Sequence, residues 1–368
     1  MDLLREVCSL PTAPFREERV IAFAQAFARQ RRLHLSRDPA GNVLIHLPGR
    51  RRLPRWVFAA HMDHPGMVAR RMEKGHILAA DFYGSVHAEY VRGAKVIFFD
   101  GEDQVPGTIA SVTAEAGGRR ARAVRVKVQR PVRPASAGMF DQGTGRYRGK
   151  RFLCRCCDDL AGAAGALAML DELRHDPPTA PVAVLLTRAE EQGFVGAIAA
   201  ARKPKLLRRT DRIIAIETSA VQPYAPQGQG PIIRLGDRTS IFHSGLTYFL
   251  TQQAQALAKA DKRFTYQRAL MPGGTCEATA YDAYGFSAAS ICVALGNYHN
   301  MDIARKRIGP EYIDVDDWAA MVRLFVHIAR NGHKYEDGHV ALKKRLEKLY
   351  ADHERLLQVH PAKTWRYA

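Results

Sequence analysis

Five places along the chain carry side chains able to hold a divalent metal or move a proton. They are His61 with Asp63, Asp158-Asp159, Glu190-Glu191, Glu217 and His299. Imidazole and carboxylate are the donors that suit zinc and its first-row neighbours. Each group has an ordinary explanation when taken alone. A lone histidine is more often structural than a ligand. An Asp-Asp pair ahead of a helix caps it and complements its dipole. Two adjacent glutamates can be a solvated turn. Capping does not explain their shared position, because each group follows a short apolar run that reads as a buried strand.

Trp56 to Ala60 runs straight into His61. Phe152 to Cys157 precedes Asp158, and Val182 to Thr187 precedes Glu190-Glu191. Arg212 to Ile216 precedes Glu217, and Ala288 to Leu295 precedes His299. In an open α/β sheet, ligands bind outside the carboxyl ends of the strands. Five such strands would bring two histidines and at least four carboxylates to one edge.

The elements between them have helical spacing. Val20, Phe23, Ala24, Phe27 and Ala28 predict a helix near residues 16 to 31. Leu160, Leu167, Leu170 and Leu173 predict one over 159 to 174, and Trp318, Val322, Phe325 and Ala329 one from Asp316 to Arg330, closed by Asn331-Gly332. Alternating strands and helices predict a mostly parallel sheet covered on both faces, a three-layer α/β/α fold. From about residue 70 to 150 the texture changes. Short β-like runs are broken by glycine and proline, and Val124, Val126 and Val128 alternate with Arg125 and Lys127. The expected organisation is a catalytic domain from residues 1–70 and 150–335, a small β-barrel domain inserted at 71–149, and a helical C-terminal extension at 336–368. Leu342, Leu346, Leu349 and Leu356 predict that the extension is a helix from Val340 to Val359 docked on its own domain.

The motifs resemble those of the tetrahedral aminopeptidases, the glutamyl or deblocking aminopeptidase family of two-zinc metallopeptidases. His61-Met62-Asp63-His64-Pro65-Gly66 is similar to that family's His-Met-Asp-Glu-x-Gly segment. Met139-Phe140-Asp141 and Cys157-Asp158-Asp159 match its run into a bridging aspartate. Glu190-Glu191-x-Gly193, Gly273-Gly274-Thr275 and Tyr298-His299 match its other segments. The resemblance covers residues 1 to about 332. It implies that Asp158 bridges two metals, that His61 and Glu217 complete one site, and that Glu191 and His299 complete the other. It also implies that Glu190 is the general base acting on a water shared by the metals, and that Asp63 supports His61 by accepting its ring N–H. The implied cofactors are two divalent ions, zinc with cobalt or manganese as alternatives. The implied activity is removal of N-terminal residues from peptide substrates by a homo-oligomer.

Some positions depart from that pattern. His64 stands where glutamate is usual, Cys276-Glu277 where Asp-Ala is usual, and Glu217 where aspartate is usual. Asn297 replaces a common arginine, and Asn300-Met301 follow His299. These changes fall around the expected pocket, so His64, Gly274, Thr275 and Glu277 are read as its substrate-facing wall. Two other functions fit the same residues: an amidohydrolase or deacylase with the same metal core, and a non-catalytic peptide-binding relative. A retained Glu190 beside Glu191 argues against the second, since binding alone needs no base.

Composition sets the remaining limits. The chain has 368 residues and a net charge of +18, from 55 basic and 37 acidic side chains. From Arg119 to Arg155 the only acid is Asp141. The excess is read as a solvated basic face, because no nucleic-acid module signature accompanies it. It points to acidic residues at the substrate N-terminus. No apolar run is long enough for a membrane span, and the first twenty residues have no secretory core. Six cysteines, three of them within four positions, do not make a disulfide framework; Cys154 to Cys157 reads as small core residues. A reduced, cytoplasmic protein is expected.

Overall fold

The structure is a computed structural model that describes residues 2–357. Residues 358–368, the end of the expected C-terminal extension, lie outside the described residues.

One large sheet organises the chain. Its centre is four parallel strands, Val182–Thr187, Trp56–His61, Arg212–Ala220 and Ser287–Gly296, in that spatial order. Successive side chains of these strands enter opposite layers, as the pleat requires. Trp56, Phe58 and Ala60 join the core under the helices Leu160–Leu173 and Val315–Asn331. Val57 and Ala59 join the core under Val195–Arg202 and Glu277–Ala283. Helices therefore cover both faces, the three-layer arrangement.

The sheet is mixed rather than mostly parallel. Val43–Leu47 pairs antiparallel with Val182–Thr187 on one side, and Glu311–Asp314 pairs antiparallel with Ser287–Gly296 on the other. Arg151–Cys154 is antiparallel to Glu311–Asp314. Two reversals restore the direction, so Arg151–Cys154 still points its carboxyl end to the same edge as the central strands. The predicted strand from Phe152 to Cys157 is three residues shorter at that end, and Cys156 to Asp159 form the loop leading to the Leu160–Leu173 helix. The Asp159 carboxylate caps that helix by accepting from the N–H of Gly162.

A closed six-stranded barrel is inserted between the halves of the sheet. Its strands run from Gly66–Met72 to Ala137–Phe140, slightly earlier than the expected 71–149. Arg146–Arg148 belongs to the large sheet. Met67, Phe82, Phe98 and Val126 fill the barrel interior.

Gly332 follows the Val315–Asn331 helix, as expected, but not as a left-handed cap. Its conformation is helical, and a β-carbon there would collide with the Trp56 indole. The chain continues into the helix Tyr335–Leu357. Its first residue packs on Trp56 and Phe249. Further along, most of the predicted apolar stripe does not dock: Leu342 is half-buried, but Leu346, Leu349 and Leu356 are 53%, 50% and 68% exposed. No helix of the described residues is long and apolar enough to cross a membrane.

Candidate active site

The strand ends deliver their side chains to one cleft of about 640 Å³ between the sheet edge and the barrel. His61 is the last residue of its strand, and Glu217 lies within Arg212–Ala220. Glu190 and Glu191 occupy a single 3-10 turn bounded by left-handed residues, Ala189 at φ 51° and Gly193 at φ 84°. His299 itself is left-handed, with φ 54°. Such conformations persist where surrounding contacts hold them, and the contacts are present.

Asp158 sits at the centre. Its Oδ1 is 3.4 Å from His61 Nε2, and its Oδ2 is 3.5 Å from His299 Nε2. Thr218 donates its hydroxyl to Asp158 Oδ1 at 3.0 Å. Glu191 Oε1 is 3.1 Å from His299 Nε2. Both imidazoles have a backbone carbonyl near Nδ1, that of Asp63 at 3.1 Å for His61 and that of Ser85 at 3.2 Å for His299. An Nδ1–H donated to each carbonyl leaves Nε2 with a lone pair facing the carboxylates. Ser85 comes from the barrel, so the insert fixes one histidine of the cleft.

Asp63 meets the His61 ring through its backbone carbonyl, not through its carboxylate. Its carboxylate lies 3.6 Å from His61 Nδ1, farther than its own carbonyl. The carboxylate instead accepts the N–H groups of Glu190 at 2.9 Å and Glu191 at 3.0 Å. It thereby sets the turn that aims the two glutamates. Glu17, a residue the sequence does not signal, holds the preceding position by accepting from the N–H of Ala189 at 3.0 Å.

The expected substrate wall divides. Gly274 and Thr275 line the cleft. His64 and Glu277 do not, and both are buried. His64 is committed on both ring nitrogens, to the carbonyl of Asp158 at 2.7 Å and to Asn300 Oδ1 at 2.9 Å. Glu277 is bonded to Thr187 and Tyr281, and burial pushes its carboxyl up to about 7. Their polar atoms are used internally, so neither faces substrate.

Glu311 was missed and is central. Its Oε2 accepts from the N–H of Cys157 at 2.7 Å and of Asp158 at 3.1 Å, and its Oε1 accepts from the N–H of His299 at 2.9 Å. One fully buried carboxylate thus ties together the loops that carry Asp158 and His299. In a Glu311→Gln variant either amide orientation sets an NH2 group against at least one backbone N–H. Metal affinity should then fall about 10–100-fold while the thermal transition stays cooperative. Unchanged affinity in a competition titration would exclude this positioning role.

The electrostatics suit cations. Burial raises Glu190, helped by Glu217, Glu191 and Asp63, and it pushes Glu217 up to about 8. Burial opposes the charging of His61 and His299, but their carboxylate neighbours outweigh it and raise both. Burial also opposes ionisation of Asp158, but the two histidines hold its carboxyl below the ordinary range. Glu191 Oε1 and Glu217 Oε1 are buried and lack any hydrogen-bond partner among the described residues. Buried polar atoms of this kind are uncommon unless something else engages them. Donor atoms of His61, Asp158 and Glu217 lie within 4.8 Å of one another, and so do those of Asp158, Glu191 and His299. A third such group is His61, Glu190 and Glu191. The donor set fits divalent metal. The six cysteines are all buried and unpaired by disulfides, and burial raises the Cys276 thiol, which makes it a poor nucleophile.

Clustered histidine and carboxylate donors beside a further glutamate, at a mixed-sheet edge roofed by a barrel, define a metal-dependent hydrolase. The chain belongs to the M42 glutamyl aminopeptidase family, whose sequence model matches residues 41–315. Solved structures agree on the fold. One is aminopeptidase APDkam598 from the archaeon Desulfurococcus kamchatkensis, 21% identical over 90% of this chain and 94% of that one, with a TM-score of 0.74. Another is a TET aminopeptidase from the marine sediment archaeon Thaumarchaeota archaeon SCGC AB-539-E09, 17% identical over 92% and 98%, with a TM-score of 0.76. A third is the Pyrococcus horikoshii TET1 peptidase, 19% identical over 89% and 98%, with a TM-score of 0.74; that protein can assemble into a tetrahedron or a large octahedral shell. A search of curated protein sequences finds no match.

Proposed function

We propose that this chain is an aminopeptidase with two divalent ions, zinc being the ion best matched to the donors, and that Asp158 is shared between them. His61 and Glu217 complete one site and Glu191 and His299 the other. The observation that carries this reading is the pair of three-residue donor groups that have Asp158 in common. Ions held there would supply Lewis acidity for the scissile carbonyl and for the attacking water. Glu190 then remains free of metal. It takes the water proton and returns it to the leaving amine. Asp63 orients Glu190 through its backbone, and Thr218 holds Asp158. Arg120, Arg122 and Arg238 line the cleft that would take the peptide, and the chain works as a homo-oligomer like the shell-forming relative.

Removing metal tests the ligand set. Glu190, Glu217, His61 and His299 all titrate higher in the folded chain than their ordinary values. Each favours the protonated fold. That contribution is fully present below the unfolded pKa, 4.5 for the glutamates, and is lost as pH rises through the folded value, about 8 for Glu217. Asp158 titrates below this window. Chelated protein should therefore lose thermal stability between about pH 5 and 8.5, and the gain in Tm on adding zinc should grow over the same range. A zinc-independent Tm at both ends would contradict the ligand set.

A further inference from the structure

The helix Tyr335–Leu357 lies beyond residues 41–315, which the family model matches. Its first two residues hold it to the body: Tyr335 packs on Trp56 and Phe249, and Glu336 pairs with Arg212 at 2.8 Å. From Val340 to Leu357 every residue is exposed except Leu342 and Glu354, which are half-buried. This exposed length is apolar along one side, where Tyr350 and Leu357 join Leu346, Leu349 and Leu356. A contiguous apolar stripe left in water marks an interaction surface.

The spacing and charges of the stripe say what covers it. Leu342, Leu346, Leu349, His353 and Leu356 follow one another at steps of four, three, four and three. That is a coiled-coil seam, with Leu346 and His353 at the a positions and Leu342, Leu349 and Leu356 at d. Lys343, Tyr350 and Leu357 flank the seam on one side, and Arg345 and Asp352 on the other. An antiparallel second copy sets Leu346 on the partner's Leu349 and His353 on the partner's Leu342. Arg345 then faces the partner's Asp352, and by symmetry Asp352 faces the partner's Arg345. On the other flank Lys343 meets the partner's Tyr350, a cation against an aromatic ring. A parallel pair would set Arg345 against the partner's Tyr350, Asp352 against the partner's Leu357 and His353 against the partner's His353, with no ion pair. Asp352 already accepts from Lys348 at 2.8 Å, and a carboxylate has lone pairs for both donors.

We propose that this seam binds the same seam of a second copy of the chain, as an antiparallel helix pair whose two-fold axis passes between Leu346 and Leu349. The pair adds an interface made by residues outside the family's matched segment, and it does not rest on the aminopeptidase reading. The seam is short, so the Arg345–Asp352 pairs set its direction more than its strength.

The test is disulfide trapping in the full chain. Leu346→Cys and Leu349→Cys chains, one of them tagged, are co-expressed and oxidised gently with copper phenanthroline. The six native cysteines are buried and do not compete. The mixed preparation should yield a disulfide between the two kinds of chain, because a bridge needs Cα atoms within about 7 Å of each other. Lys344→Cys, on the outer side of the same helix, should yield none. Linkage of Leu346→Cys chains to one another in preference to the mixed pair would show a parallel arrangement and overturn the proposal. Equal yields at all three positions, or no linkage in a folded protein, would overturn it too. The second measurement exchanges charges in the mixed preparation. Arg345→Glu should cut the yield about fivefold or more, because it sets like charges together at two symmetric places. Adding Asp352→Arg to the same chains should restore the yield. An unchanged yield in Arg345→Glu, or no recovery on adding Asp352→Arg, would reject the antiparallel register. Peptide hydrolysis by the unlinked variants should match that of the unmodified chain, so failure of the helix pair and failure of the aminopeptidase reading are read separately.

Discussion

Asp158→Asn should reduce peptide hydrolysis by about 10⁴-fold or more and lower the metal content of the purified protein. Asn keeps the size and the hydrogen bond with Thr218, so the fold should survive. It loses the charge that faces His61 Nε2 at 3.4 Å and His299 Nε2 at 3.5 Å. It also offers one oxygen where the carboxylate offers two. If Asp158 is common to both donor groups, a single substitution weakens both sites. Bound ions would contribute several kcal/mol of charge stabilisation to the reaction, and roughly 5–6 kcal/mol corresponds to that factor in rate. Metal analysis and kcat/KM on the same preparation check the result. Full metal content with near-normal activity would remove Asp158 from the centre of the site.

Glu190→Gln should give the opposite pairing of results: metal retained and turnover lost. The side chain keeps its shape, and the Asp63 contact is to its backbone N–H, so the turn should be undisturbed. What disappears is the carboxylate proposed as the base, and proton transfer by such a group is worth about 10²–10⁴-fold in rate. The loss should fall on kcat, with KM little changed. Loss of an ion in this variant would instead favour the third donor group, in which Glu190 and Glu191 share a metal with His61. The two variants therefore separate ligand from base.

The residues that announce themselves in the sequence are those fixed by strand geometry. His61, Glu190-Glu191, Glu217 and His299 each follow or end a run of apolar residues, and parallel strands carry such residues to one edge. Asp158 was legible for the same reason, although its strand reaches that direction through two antiparallel pairings. Those pairings were not legible. Both run through Glu311–Asp314, which is only four residues long, too short for a pattern to show. The barrel was visible in its alternating valines. Its first strand was not, because Gly66–Met72 follows closely on the His61 segment.

Other roles depend on contacts between distant parts of the chain. Glu311 binds the N–H groups of residues about 154 and 12 positions away, and nothing local marks such a carboxylate. His64 and Glu277 erred in the other direction. Adjacency to pocket motifs suggested contact with substrate, while internal hydrogen bonds turn both away.

The most direct test of the central claim is hydrolysis of matched free and Nα-acetylated peptides by the metal-reconstituted protein. Release of the first residue from free peptides, with acetylated peptides untouched, is the predicted result. Cleavage of the acetylated set at a comparable rate, or no turnover of either set with two ions bound, would contradict the aminopeptidase reading.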